Sequence, residues 1–357
     1  MRMGGVGVFV VDAHEDIAYN ALHHERDVRR SVKRTRELEA ASLPCCVGPV
    51  LSVPETAMVG LPEHKAGGVG LVFSTIFTVP DDLGAMHEDA LAQVRYYQAL
   101  ASDPTGVRLV TSQADLRALR ADWDAAGNPS ERPVGFLLLM EGADPITEPA
   151  ELEEWYRLGL RVLGPAWQRT RYCGGTRAPG PLTDLGRELL REMQRLGVIL
   201  DVSHLAEESF WQALEQFSGR VIASHSNCRE FVPTDRHLSD DMIRALAEHG
   251  AVIGAVLSNS FLVGGWKDTM EPVHLNAVVR HVDRICQLTG SARHCGLGSD
   301  FDGGFGVETT PEEFDSVADL ARVADELRAR GYGETDVEGI LGGNWLRLLS
   351  EALPTGV

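Results

Sequence analysis

The chain lacks the charge pattern of a nucleic-acid-binding protein. Its 357 residues include 33 Lys and Arg against 52 Asp and Glu, which gives a net charge of -19. The single basic stretch, residues 29–34, is short and has acidic neighbours, so we interpret it as a solvated helix face. Without a basic surface that could displace counterions from phosphates, nucleic acid is not an expected partner.

Long apolar runs and closely spaced cysteines are also missing. No stretch reaches the length needed to span a membrane, and the first residues show no signal-peptide pattern. Cys45 and Cys46 are adjacent and the other four cysteines are scattered without a C-x-x-C spacing, which favours reduced thiols over a disulfide framework. We therefore expect a cytoplasmic protein with no membrane partner.

Several enzyme signatures are absent as well. The chain has no Gly-x-Ser-x-Gly nucleophile elbow and no phosphate-binding loop, and its glycine-rich residues 4–7 precede a predicted strand instead of following one. Only three lysines occur, Lys33, Lys65 and Lys267, and none follows a predicted strand. A carboxylated lysine bridging two metals is therefore excluded.

Short apolar runs alternate with helical patterns along the chain. The runs predict eight buried strands at about 7–13, 69–77, 135–141, 160–166, 197–203, 220–225, 251–257 and 295–300. Helices are predicted over 85–101, 151–158, 183–196 and 239–249, and a further helix is expected to begin at Thr310-Pro311. Eight strand–helix units predict a (β/α)8 (TIM) barrel, an α/β fold, forming a single domain over residues 1–357. A long connection at about 17–68 interrupts the repeat.

Polar residues with metal-ligand chemistry follow five of these strands. They are His14 and Asp16 after the first, then Glu141, His204, His225 and Asp300. Each alone has a plain structural explanation, such as a helix cap for the glutamate or a carbonyl-bonded imidazole for each histidine. Together, at the strand ends of one barrel, they indicate a bound cation, because uncompensated buried charges are costly. Two metals would need a shared carboxylate, and Glu141 is the candidate.

The imidazole and carboxylate donors suit Zn²⁺, Mn²⁺ or Fe²⁺, and the lack of thiolates argues against a closed structural zinc site. The chain also resembles the membrane (renal) dipeptidase family of the amidohydrolase superfamily. The stretches that carry the resemblance are 12–16, 66–70, 141–142, 182–187, 201–204, 224–227, 298–303 and 343–347, in the family's order over nearly the whole chain.

The resemblance implies a centre of two zinc ions. His14 and Asp16 would bind one ion, His204 and His225 the other, and Glu141 both, with a hydroxide between the metals attacking the peptide carbonyl. It further implies that Asp300 shuttles the proton to the leaving amine. Arg236 would hold the substrate's terminal carboxylate, a task that suits a bidentate guanidinium.

One position departs from the family pattern. Trp167 stands where the family presents a histidine to the scissile carbonyl, and an indole brings no charge and more bulk. Our hypothesis is that Arg169 or Arg171 supplies the missing charge.

Three functions follow from these observations. The first is a zinc-dependent dipeptidase, with substrates that include a C-terminal D-residue. The second is a hydrolase of another small carboxylated or cyclic amide such as a lactam, and the third is a metal-binding barrel that only binds a ligand. A small-molecule dipeptide or amide is thus the expected partner, and a homodimer is compatible with the sequence.

Overall fold

The computed structural model describes residues 7–41 and 55–356, so the adjacent cysteines 45 and 46 and the chain's first residues lie outside it. Nine parallel strands occur in the described ranges. They are β1 Val10–Glu15, β2 Val69–Phe77, β3 Val107–Leu109, β4 Val134–Glu141, β5 Leu160–Gly164, β6 Ile199–Asp201, β7 Val221–Ile222, β8 Ile253–Ala255 and β9 Cys295–Leu297.

Eight of these strands form the predicted barrel. Their order is β7-β6-β5-β4-β2-β1-β9-β8, and every pairing is parallel. An isolated parallel bridge between Ala223 and Ile253 nearly closes the ring, supported by a 2.8 Å bond from the Gly254 N–H to the Ala223 carbonyl. The (β/α)8 prediction is confirmed.

Helices surround the barrel and connect its strands. They are α1 Ile17–His23, α2 Val32–Ala41, α3 Leu61–Gly67, α4 Leu83–Ser102, α5 Gln113–Ala125, α6 Leu152–Arg157, α7 Asp184–Leu196, α8 Glu207–Gln216, α9 Asp240–Glu248, α10 Asn259–Leu262, α11 Asn276–Thr289, α12 Val323–Ala329, α13 Glu334–Glu338 and α14 Asn344–Ala352. Ser239 caps α9 by accepting from the Met242 N–H, and Gly197 ends α7 in the left-handed conformation.

Alternate residues of the central strands enter two apolar layers. Val72 and Leu138 pack in the layer that includes the surrounding helices, whereas Leu71, Leu137 and Leu139 pack in the second layer with residues of the neighbouring strands. Because side chains alternate along a strand, Glu141 belongs to the same face as Leu137 and Leu139 and stands at its carboxyl end.

Three sequence predictions need correction. Strand β3 was missed because three residues are too few to show a period; it pairs with the start of β4 through Val107 and Val134. The helix predicted from Thr310 does not form, since the Glu312 N–H bonds to the Val273 carbonyl and the Glu313 carboxylate accepts from the Leu275 N–H. Several strands are shorter than predicted. At the end of three of them an aspartate side chain, instead of a neighbouring strand, accepts the hydrogen bond from a backbone N–H group, as described below.

Close backbone approach makes glycine necessary where the barrel closes. A Cβ at Gly254 or Gly298 would lie 1.8 or 1.9 Å from the Ser224 carbonyl oxygen. Both glycines thus allow the segment after β7 to lie tightly against β8 and the end of β9. This contact fixes the position of the backbone that carries Ser224 and His225.

The four described cysteines are free thiols, as predicted. Among the helices of residues 7–41 and 55–356, none is long and apolar enough to cross a membrane.

Candidate metal centre

The predicted ligands converge at the carboxyl end of the barrel, around the Glu141 carboxylate. On one side of it lie His204 and His225, whose Nε2 atoms are 3.1 and 3.3 Å from Glu141 Oε1. These two Nε2 atoms are 3.0 Å apart. Three potential ligand atoms therefore face one point.

The second carboxylate oxygen of Glu141 faces a different set. His14 Nε2 lies 3.8 Å from Glu141 Oε2 and 3.8 Å from Asp300 Oδ1. Asp16 joins His14 and Glu141 in a group whose ligand atoms all lie within 4.8 Å of one another. Glu141 thus stands between two ligand sets, the placement a bridging carboxylate requires.

Three buried atoms of this cluster have no hydrogen-bond partner: His14 Nε2, Asp16 Oδ1 and Glu141 Oε1. Buried polar atoms are normally satisfied, so three orphans at one place call for an explanation. All three have lone pairs available for a cation, and the neighbouring imidazole nitrogens would complete the donor set. The residues therefore fit divalent metal, and nitrogen and oxygen donors in this combination suit Zn²⁺ or Mn²⁺.

Burial shifts the pKa values of these groups so that both the acids and the imidazoles favour their uncharged forms and do not neutralise one another. It raises the pKa of Asp16 and of Glu141, with the Glu141 charge adding to the effect on Asp16. Burial also lowers the pKa of His14 to about 4 and depresses that of His204 and His225 well below the usual value. Neutral imidazoles beside acids that resist ionisation form a cluster that a cation would stabilise.

Asp300 approaches the cluster through an unusual backbone conformation. Its φ is +61°, and its N–H donates to the His14 carbonyl at 3.1 Å. A Cβ at Gly303 would lie 2.1 Å from Asp300 Oδ1, so only glycine leaves room for the carboxylate. Burial, together with the charges of Asp16 and Glu141, raises the pKa of Asp300 well above its usual range. A non-glycine residue held at positive φ costs free energy and is found mainly at functional sites.

Arg236 is buried beside the same cluster. Its Nη2 donates to the His225 carbonyl at 2.7 Å and its Nη1 to Ser226 Oγ at 3.3 Å, whereas its Nε has no partner. Burial lowers the pKa of Arg236, while the Asp300 and Glu141 charges act in the opposite direction. The Nε–H group is therefore left for a further acceptor.

Trp167 lies at the edge of the cluster. Its indole is 6.5 Å from the His204 ring, between ring centroids, and meets the Phe77 ring edge-on at 5.1 Å. The two neighbouring arginines bond to backbone carbonyls instead of to residues of the cluster. The guanidinium of Arg169 bonds to the Pro179 carbonyl, and that of Arg171 to the Thr147 carbonyl at 2.7 Å.

Residues behind the ligands were not assigned a role from the sequence. Asp201, Ser224 and Thr176 bond to the predicted ligand histidines or to their neighbours, with Thr176 Oγ1 3.0 Å from His204 Nδ1. The sequence feature that could have identified Asp201 is its position inside the apolar run 198–202. A carboxylate in a buried strand is costly unless several donors meet it.

Glu15 and His64 form a second pair of polar residues behind the site, and both are fully buried. The distance between Glu15 Oε2 and His64 Nε2 is 2.8 Å. Neither was singled out from the sequence. His237, which follows Arg236 in the chain, bonds to Thr234 Oγ1 and the Phe261 carbonyl.

A parallel barrel with histidines and carboxylates clustered at its carboxyl end has the construction of barrel hydrolases that use metal. The model of one family, described as membrane dipeptidase (peptidase family M19), matches residues 6–355. The chain belongs to this family, which confirms the resemblance seen in the sequence.

Individual relatives agree with this assignment. An uncharacterized protein of the pqqA 5′ region of Klebsiella pneumoniae is 33% identical over 263 residues, 71% of this chain and 91% of that protein. Dipeptidase 3 of Rattus norvegicus is 28% identical over 72% of this chain, a match that spans about half (54%) of that longer protein. A crystal structure of a metallopeptidase from Rhodobacter sphaeroides, liganded with a phosphinate mimic of the dipeptide L-Ala-D-Ala, has a TM-score of 0.77. It is 26% identical and covers 97% of this chain and 99% of that chain.

His281, on α11, shows what a histidine outside the site does. Its Nδ1 accepts from the Cys228 N–H at 3.0 Å and its Nε2 lies 3.1 Å from the Leu262 carbonyl, so the neutral ring satisfies both contacts. Burial lowers its pKa from 6.5 to about 4. The folded state therefore binds fewer protons here than the unfolded state between pH 6.5 and pH 4.

We expect this histidine to make folding less favourable as the pH falls. The contribution of His281 to the free energy of unfolding is fully present above pH 6.5. It decreases as the pH falls towards 4, by about 3 kcal/mol in total. Urea unfolding of the metal-free protein and of His281→Gln, measured across this range, should give a difference in unfolding free energy that shrinks as pH falls. A difference that stays constant with pH would contradict the assignment.

Proposed function

We propose that the protein is a dipeptidase that hydrolyses the peptide bond of dipeptides with two divalent metal ions, zinc being the proposed metal. The observation that carries the proposal is the placement of Glu141 between two ligand sets that contain orphaned buried atoms. His14 and Asp16 would hold one ion and His204 and His225 the other, with Glu141 contacting both.

Two ions held there would supply Lewis acidity, polarising the scissile carbonyl and making water acidic enough to act as a nucleophile near neutral pH. The chain's own residues have to place the substrate and move the proton. Arg236 would bind the terminal carboxylate of the substrate, since its buried guanidinium has a free Nε–H beside the cluster.

Asp300 would carry the proton from the nucleophile to the leaving amine. Its carboxylate lies 3.8 Å from His14 Nε2, and its raised pKa suits a group that takes up and releases a proton during turnover. The positive φ and the absence of a side chain at Gly303 hold it in this position.

The substrate class is a small dipeptide. The Rhodobacter metallopeptidase is liganded with a mimic of L-Ala-D-Ala, and on that basis the proposal includes dipeptides with a C-terminal D-residue. Trp167 favours a second candidate, a hydrolase of lactams or other carboxylated amides, because its half-buried indole occupies space beside His204.

Turnover of dipeptides is the direct test of the proposal. With Zn²⁺ present, we expect the protein to hydrolyse dipeptides from a panel of L,L- and L,D-dipeptides and lactams. Asp300→Asn should lower kcat by on the order of 10²–10⁴-fold, because the proton carrier is lost, and should retain its bound metal. Product formation and metal content would be measured on the same preparations.

Each alternative gives a distinct result in this panel. Turnover of lactams alone would favour the second candidate, and failure on every substrate despite bound metal would favour a barrel that only binds. If Asp300→Asn loses metal, Asp300 is a ligand instead of the proton carrier.

Trp167 should determine how the developing oxyanion is stabilised. Trp167→His would replace the neutral indole N–H with an imidazole donor that can carry a positive charge beside the carbonyl, so we expect a higher kcat on dipeptides with a smaller change in KM. Trp167→Ala is the matched control, since it enlarges the site without adding a donor. If the histidine variant does not raise kcat, or loses activity on the best substrate, the indole forms a wall of the substrate pocket.

A further inference from the structure

One serine hydroxyl connects a buried carboxylate with ligand histidines of both sets. Ser224 Oγ is 2.5 Å from Asp201 Oδ2, 2.7 Å from His225 Nδ1 and 3.5 Å from His14 Nδ1. Ser224 is fully buried and Asp201 and His225 nearly so. The contacts lie on the side of the imidazoles opposite to the Nε2 atoms that face Glu141.

The hydrogen-bond directions in this group follow from the chemistry of its members. Asp201 Oδ1 already accepts from the N–H groups of Ser203 and Ser224, at 3.0 and 2.9 Å. A carboxylate only accepts hydrogen bonds, so the single hydroxyl proton of Ser224 is donated to Oδ2. The hydroxyl oxygen can then only accept, from Ser203 Oγ at 3.3 Å or from an imidazole. An imidazole that bonds to it must therefore carry its proton on Nδ1.

We propose that Asp201 and Ser224 are positioning residues that hold His225, and through the longer contact His14, in the tautomer with a free electron pair on Nε2. This inference rests on the proposed function, in which Nε2 is the atom that binds metal. Partners behind a metal-binding histidine commonly fix its tautomer and orientation, but here the carboxylate acts through a hydroxyl that serves both ligand sets.

A second aspartate provides an internal comparison. On β1, Asp12 Oδ1 accepts from the Ser299 N–H at 2.7 Å, and its Oδ2 accepts from Ser299 Oγ at 2.5 Å. Ser299 Oγ in turn accepts from the Phe301 N–H, and among the described residues it contacts no imidazole. Asp12 Oδ1 also accepts from the His14 backbone N–H at 3.5 Å. The same aspartate–serine contact between strand ends therefore exists without a serine bond to an imidazole, which separates a structural role from a tautomer-setting one.

Asp201→Asn tests the proposal because the neighbouring hydrogen-bond donors determine the orientation of the new side-chain amide. The two N–H donors at Oδ1 require the amide oxygen there, so the NH₂ group must face Ser224 Oγ and donate to it. The Ser224 proton then turns towards His225 Nδ1, which favours the tautomer protonated on Nε2. The variant keeps the size of the side chain and its two backbone N–H bonds, but it reverses the hydrogen-bond polarity towards Ser224 and removes one negative charge. Asp12→Asn, which removes a buried carboxylate charge as well, controls for the second change.

The first measurement is the tautomer of His225 in the metal-free protein by ¹⁵N NMR, assigned with His225→Asn. We expect Nδ1–H in the wild type and a shift towards Nε2–H in Asp201→Asn. The second is loss of bound Zn²⁺ to a chelator, where Asp201→Asn should weaken Zn²⁺ affinity by about 10–100-fold. Asp12→Asn is the matched control and should retain Zn²⁺ much more tightly than Asp201→Asn.

The outcomes distinguish this inference from the proposed function. An Nε2–H tautomer in the wild type, or equal Zn²⁺ loss from both asparagine variants, would overturn the positioning role. A wild-type protein that binds no Zn²⁺ would contradict the proposed function, and the NMR result would still decide the tautomer. If Asp201→Asn does not fold, Ser224→Ala gives the same test, since without the acceptor His225 should show a mixture of tautomers.

Discussion

The burial of ionisable side chains at one end of the barrel is the constraint on which the rest of the structure depends. Acids and imidazoles that would each prefer water are held within a few ångströms of Glu141, where some of their atoms have no hydrogen-bond partner. Removing such groups from water costs several kcal/mol each in the absence of a compensating charge. Divalent metal is the compensation that the donor types fit.

The barrel provides the rigidity that this arrangement needs. Glycines at 254 and 298 let the backbone after β7 lie against its neighbours, and carboxylates at 12 and 201 bond to backbone N–H groups at the strand ends. These contacts determine where the ligand-bearing segments leave the barrel. Precise placement of a few side chains on a stiff frame is what differentiates a metal centre from a surface cluster of acids.

Much of this could be predicted from the sequence. The buried strands and the histidines and carboxylates that cluster at their ends could be predicted, because each strand is a short apolar run that ends in one of these polar residues. The strand ends were not, because the Asp201 carboxylate takes N–H groups that a longer ladder would have used. The helix expected at Thr310 failed for a similar reason, since its capping signal was local while a distant carbonyl at Val273 took the N–H of Glu312.

The hydrogen bonds behind the ligands were beyond the reach of the sequence. Ser224 and Asp201 are 23 residues apart, and only the closed barrel brings them within 2.5 Å of each other. Trp167 was recognised as a departure from the family pattern, but its contact with Phe77 and the separate bonds of Arg169 and Arg171 required the structure.

The most direct test of the central claim is the number of metal ions that the protein holds, counted by elemental analysis of the purified chain and of Glu141→Gln. If Glu141 joins two ligand sets, the wild type should contain close to two equivalents of divalent metal, and the variant should lose both together. One tightly held ion that survives the substitution would contradict the bridging role, and a wild type without metal would contradict the account of the site.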